Sequence, residues 1–92
     1  MISVTDSAKE HLKNTLLAHA DDPNISLRLV AKPAGRLGFV LESEAKEDDQ
    51  VVEHEGTTVL LIGHELMPIV EGLTLDVQDT ADGPKLFVFK GQ

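Results

Sequence analysis

The feature that limits the fold most is one turn-forming stretch set between two strand-forming runs, Ala31-Lys32-Pro33-Ala34-Gly35-Arg36-Leu37-Gly38-Phe39-Val40-Leu41-Glu42. Upstream, Ile25, Leu27 and Leu29 alternate with Ser26 and Arg28, the period of a strand with one apolar face. Downstream, Phe39-Val40-Leu41 begins an outgoing strand. Between them Pro33 fixes one backbone angle, while Gly35 and Gly38 open positive φ angles closed to most residues. Such a loop brings backbone close to a neighbouring group and holds Arg36 at its tip. With Lys32 and Arg36 as cations and Gly35 and Gly38 as its flexible points, it is the candidate binding loop. Its amides and guanidinium suit a carboxylate or phosphate. It lacks the Gly-Lys-Ser/Thr ending of a phosphate loop. The competing structural role for Arg36 is an ion pair with the chain's own acidic run.

The remaining chain supplies short elements around this stretch. Ile2 and Val4 flank Ser3 as a short edge strand, and Thr5 or Asp6 caps a helix that runs to about Ala20. Ala8, Leu12 and Leu16 recur every four residues along it, and Leu17 widens the apolar stripe. Asp21-Asp22-Pro23-Asn24 stops it. The charged run from Glu42 to Gln50 is read as a loop or a solvated hairpin end. Val51 to His54 is a strand, Glu55-Gly56 a tight turn, and Thr57 to Ile62 a returning strand buried on both faces. His64 to Val70 is a short helix with Pro68 near its first turn and Leu66, Ile69 and Val70 on one side. Leu73 to Val77 is a strand, Asp82-Gly83-Pro84 a turn, and Lys85 to Lys90 the last strand.

Ninety-two residues make one domain, 1–92, and bury only about 60–65% of the unfolded surface. With three Phe and neither Trp nor Tyr, the core rests on Leu, Val, Ile and Ala, and a homo-oligomer would extend it. The net charge of −8 repels phosphate backbones and anionic lipid, so nucleic acid and membranes are poor partners. The absence of cysteine removes disulfide, zinc-thiolate, cluster-thiolate and cysteine-nucleophile chemistry. The amino terminus has no signal-peptide pattern and no run reaches a membrane span, so a cytoplasmic location is expected.

Few constellations carry chemistry. His11 and His19 lie two turns apart on the helix, about 12 Å of rise, too far for one ion. His64-Glu65-Leu66-Met67-Pro68 begins like a metalloprotease helix, but Pro68 stands where the second ligand is needed. An oxygen and nitrogen site using His54, His64 and the acidic run remains an alternative. That run, Glu42, Glu44, Glu47, Asp48 and Asp49, lacks the spacing of a calcium loop. Ser7, Ser26 and Ser43 lie in no nucleophile elbow. No resident cofactor and no enzymatic activity are expected.

Taken in order, several stretches resemble the HesB/IscA family, the A-type iron–sulfur cluster carriers, over nearly the whole chain. Val4-Thr5-Asp6-Ser7-Ala8 is similar to its capped first helix, and Leu27-Arg28-Leu29 follows. Gly35-Arg36-Leu37-Gly38-Phe39-Val40-Leu41-Glu42 parallels its Gly-Cys-Ser-Gly loop and next strand. Gly72-Leu73-Thr74-Leu75-Asp76-Val77 is similar to its Gly-x-x-Leu-Asp-aromatic, and Leu86-Phe87-Val88-Phe89 to its last strand. The resemblance implies an α+β fold: mostly antiparallel β-sheets in a distorted sandwich or barrel, packed with one long and one short helix. It also implies homo-oligomers.

The family holds iron or a cluster on cysteines, one in the central loop and two in a Cys-Gly-Cys tail. Here Arg36 stands at the loop position, the loop is shorter than usual, and the sequence ends at Gln92 before such a tail. A guanidinium repels metal ions where a thiolate binds them. The expectation is therefore a cysteine-free, non-catalytic member that acts as an accessory or binding protein in iron–sulfur cluster biogenesis. Its partner would be a protein, met first at Lys32–Gly38. The rival readings are the His/carboxylate metal site and an anion or small-molecule site at the same loop.

Overall fold

One threonine ties the first helix to a strand at the far end of the sequence. In the computed structural model, which describes residues 2–19, 22 and 24–90, the Thr5 hydroxyl oxygen accepts the Ala8 N–H at 3.2 Å. The same hydroxyl donates to Asp76 Oδ1 at 2.7 Å. Thr5 is thus the cap of α1 (Asp6–His19), satisfying one of the free amides of its first turn. Just before it, β1 (Ser3–Val4) runs parallel to β6 (Leu73–Thr80), with Ser3 opposite Thr74 and Val4 opposite Leu75. The Thr5 N–H continues that ladder onto the Leu75 carbonyl at 3.0 Å. Asp76 also accepts the Val77 N–H, and these two bonds, Thr5's first, hold its carboxyl below the usual range.

The strands form two sheets. The smaller has the order β1-β6-β7, with β7 (Gly83–Lys90) antiparallel to β6. The larger has the order β3-β2-β5-β4, built from β2 (Ser26–Lys32), β3 (Arg36–Glu42), β4 (Gln50–His54) and β5 (Thr57–Ile62). The β2–β3, β4–β5 and β6–β7 ladders are antiparallel, as the α+β expectation has it. The β2–β5 and β1–β6 ladders are parallel, so both sheets are mixed. Such parallel neighbours are joined by long crossovers, which short-range turn patterns do not mark.

Helix α1 packs against β4, β5 and β6, and its Ala8, Leu12 and Leu16 are buried. Together with Leu27, Leu29, Leu60, Ile62, Val70 and Leu75 they form one core. Leu17, expected to widen the apolar stripe, is 72% exposed instead. The stripe is narrow because α1 meets the sheets along a single row. The expected helix end at Ala20 and the Asp21 and Pro23 turn positions lie outside the described residues. The short helix is a 3-10 turn, His64–Leu66, running into α2 (Met67–Val70) with Pro68 in its first turn. Leu66 and Val70 face the core, whereas Ile69 points outward. The final turn is Ala81-Asp82, one residue earlier than read, because Gly83 already pairs with Thr80.

The acidic run is a loop but not a hairpin end. It leaves β3 at one edge of the larger sheet and enters β4 at the other edge, crossing three strand spacings, about 14 Å. Arg28 holds it in place. Its Nη1 and Nη2 donate to Asp49 Oδ1 and Oδ2 at 3.0 and 2.6 Å, and the Lys46 N–H donates to Oδ2 at 2.6 Å. Ser26 and Arg28, on the strand's polar face, are consequently buried. The ion-paired hydrogen bonds push the Asp49 carboxyl down and the Arg28 guanidinium up, each against an opposing effect of burial. Among the described residues no helix is long and apolar enough to cross a membrane.

Candidate functional site

The binding loop reduces to a tight hairpin tip. Lys32 closes β2, Pro33–Gly35 forms one 3-10 turn, and Arg36 opens β3, with Lys32 and Arg36 directly opposite each other. The register places both cations on the outer face of the sheet. Ala34 and Gly35 both take positive φ, 65° and 74°, which lets three residues reverse the chain. Gly38 does not share that role. It is buried, and a Cβ there would run into the far end of the Lys32 side chain, which lies over it. Its missing side chain makes room for that lysine.

Arg36 is exposed, and among the described residues it makes no ion pair. The cation that anchors the acidic run is Arg28, which the strand alternation gave no reason to single out. The signal that could have found it is the presence of Asp49 next to the strand that brackets β5. On the opposite, inward face of β3, Leu37 and Phe39 line an apolar cleft of about 210 Å³ with Leu29, Leu86 and Val88. Cations and apolar cleft therefore back onto each other and do not converge on one ligand.

The histidines are also separated. His54 ends β4 opposite Thr57, whereas His64 follows Ile62 at the far end of β5, roughly 20 Å away by strand rise. Asp49, which precedes the Gln50–Ile62 pair, lies at the His64 end. The joint site of His54, His64 and the acidic run is therefore excluded by topology. His54 instead meets Glu10 of α1 at 2.8 Å and its neighbour Glu55 at 3.4 Å.

No protein-family model matches the chain. The iron-sulfur cluster insertion protein ErpA of Psychromonas ingrahamii is 33% identical over 91 residues, covering 95% of this chain and 75% of the relative. The chain belongs to the HesB/IscA family. ErpA of Sodalis glossinidius is 30% identical over 91% of this chain and 75% of its own length. Escherichia coli SufA, a protein involved in biosynthesis of iron–sulfur clusters, has the same fold, with a TM-score of 0.71 at 24% identity over 97% of this chain and 84% of SufA.

Membership in the HesB/IscA family gives the two resemblance motifs a common physical cause. The Val4–Ala8 and Gly72–Val77 stretches are adjacent in space and are joined by the Thr5–Asp76 hydrogen bond. Gly72 supplies the φ of 80° that turns α2 into β6. The loop motif forms a hairpin with Arg36 at its tip.

Proposed function

We propose that this HesB/IscA chain is a non-catalytic accessory or binding protein of iron–sulfur cluster biogenesis, acting through contact with a protein partner. The observation that carries the reading is Arg36, an exposed cation without an ion pair among the described residues, at the tip of the loop where the family places a cysteine. Its 92 residues contain no thiol to take up a cluster, so the family's chemistry is supported only as a partner's chemistry. The relatives named as insertion proteins support the pathway. Lys32 beside Arg36 makes the tip a small basic site on a chain of net charge −8, suited to an acidic surface of the partner. Stacked outward-facing rings of Phe87 and Phe89, with centroids 5.6 Å apart, support self-association along β7.

The test is crosslinked affinity capture with the wild-type chain and with Arg36→Glu. Enrichment of cluster-assembly or cluster-containing proteins, lost in Arg36→Glu, supports the reading. Equal enrichment by both places the contact elsewhere, and none with either rejects the accessory role. Anaerobic loading with iron and sulfide completes it: a stable cluster chromophore on the isolated chain would overturn the partner-borne chemistry.

A further inference from the structure

We propose that Glu10, His54 and Glu55 form a binding site for one divalent transition-metal ion where α1 meets the tip of the β4–β5 hairpin. The three residues come from helix α1 and from the β4–β5 hairpin. Glu10 projects from the second turn of α1, His54 ends β4, and Glu55 begins the two-residue turn. The His54 side chain is only 19% exposed, so packing fixes where its Nε2 points. That nitrogen lies 2.8 Å from Glu10 Oε2 and 3.4 Å from Glu55 Oε1, and one ligand atom from each residue falls within 4.8 Å of the others.

The two His54 spacings are compatible with donors that share one ion. Nitrogen and oxygen donors bind such metals at roughly 2.0–2.2 Å, which puts neighbouring donors roughly 2.8–3.6 Å apart in octahedral or tetrahedral geometry. Hydrogen bonding accounts for the His54–Glu10 contact and for Glu55 through Lys13, but not for the approach of Glu55 to His54. A neutral imidazole has at most one proton at Nε2, which serves Glu10 and leaves Glu55 at a long distance.

Glu55 is also held at a positive φ of 52°, in a turn where Asn, Asp or Gly fit more easily. That backbone angle sets the Glu55 side chain beside His54. Lys13, with Nζ 3.1 Å from Glu55 Oε1, acts as the resident counter-cation. Two carboxylates and one ammonium leave the group negative, and the long lysine stem can swing out when a dication enters.

One imidazole nitrogen with two carboxylates suits zinc, iron(II) or cobalt(II). Calcium and magnesium want more oxygens than this group offers. Water would fill the remaining positions. The site is independent of the proposed function, since it lies at the other end of the larger sheet from Arg36, roughly 30 Å away by strand rise.

Titration of the full chain with Co²⁺, followed by visible absorption and by competition with Zn²⁺, tests the proposal. One saturable Co²⁺ per chain, displaced by Zn²⁺, is expected. Outer-shell groups alone change affinity roughly 10–100-fold, so His54→Ala and Glu10→Gln should each weaken binding more than about tenfold. Lys13→Gln should tighten it, and His64→Ala should leave it unchanged. Glu10→Gln alters an exposed helix position and so tests the site even if His54→Ala fails to fold. Wild-type affinity retained in both His54→Ala and Glu10→Gln, or no saturable binding in wild type and Lys13→Gln alike, would overturn it.

Discussion

Replacing Asp49 by Asn leaves the shape of the acidic crossover intact and removes the charge that Arg28 is buried against. The side chains of the pair are 10% and 2% exposed, and both oxygens of Asp49 are used. Exposed ion pairs contribute about 0–1 kcal/mol, whereas removing one partner of a buried pair costs about 3–5 kcal/mol. Arg28 is covered by a loop rather than by the core, and its buried Nε has no partner among the described residues, so the lower figure of about 3 kcal/mol applies. For a chain of this length each kcal/mol moves the melting temperature by about 4–8 °C, which gives a drop of roughly 12–24 °C at pH 7. The pH dependence follows from the lowered Asp49 pKa. A carboxylate depressed below its ordinary 3.8 stabilises the fold above that value and loses the contribution as pH falls through the folded-state pKa. The gap between wild type and Asp49→Asn should therefore be full at neutral pH and shrink in acid. Differential scanning calorimetry across pH measures both. The combined Arg28→Met, Asp49→Leu variant should recover most of the loss, because it buries no unpaired charge. A drop under about 4 °C for Asp49→Asn at neutral pH would refute the buried-clamp argument and place the pair among surface contacts.

The two loop glycines should respond unequally to alanine. Gly35→Ala forces a side chain into φ 74° and should cost about 1–2 kcal/mol by chemical denaturation. Gly38→Ala meets only the flexible end of Lys32 and should stay within about 0.5 kcal/mol. Thr5→Ala removes the cap of α1 and should cost about 1 kcal/mol, with Thr5→Ser restoring most of it. If Phe87 and Phe89 cover a second copy, Phe87→Ser should lower the light-scattering mass while far-UV circular dichroism stays unchanged, and an unchanged mass would remove β7 from the interface.

What the sequence could reveal divides by the range over which each interaction acts. Elements set by local rules were legible: the period of Ala8, Leu12 and Leu16, the Glu55-Gly56 turn, and the doubly buried Val59 to Ile62. Pairings between distant segments were not. The parallel β1–β6 and β2–β5 ladders leave no turn signature, and without them the run from Glu42 to Gln50 looks like the end of a hairpin. The same gap hid Arg28, because alternation assigns a residue to a face without saying what covers that face. It also explains why His54 and His64 could be read as partners. Their sequence spacing is compatible with one ion, but β5 stands between them as a rigid spacer. The strand that separates them leaves His54 at the end of the sheet reached by Glu10 of α1, a contact between residues 44 positions apart. Family resemblance filled part of this gap for the fold, since it carries long-range pairing along with the motifs. It gave nothing for Glu10, His54 and Glu55, whose convergence belongs to the three-dimensional arrangement and to no motif.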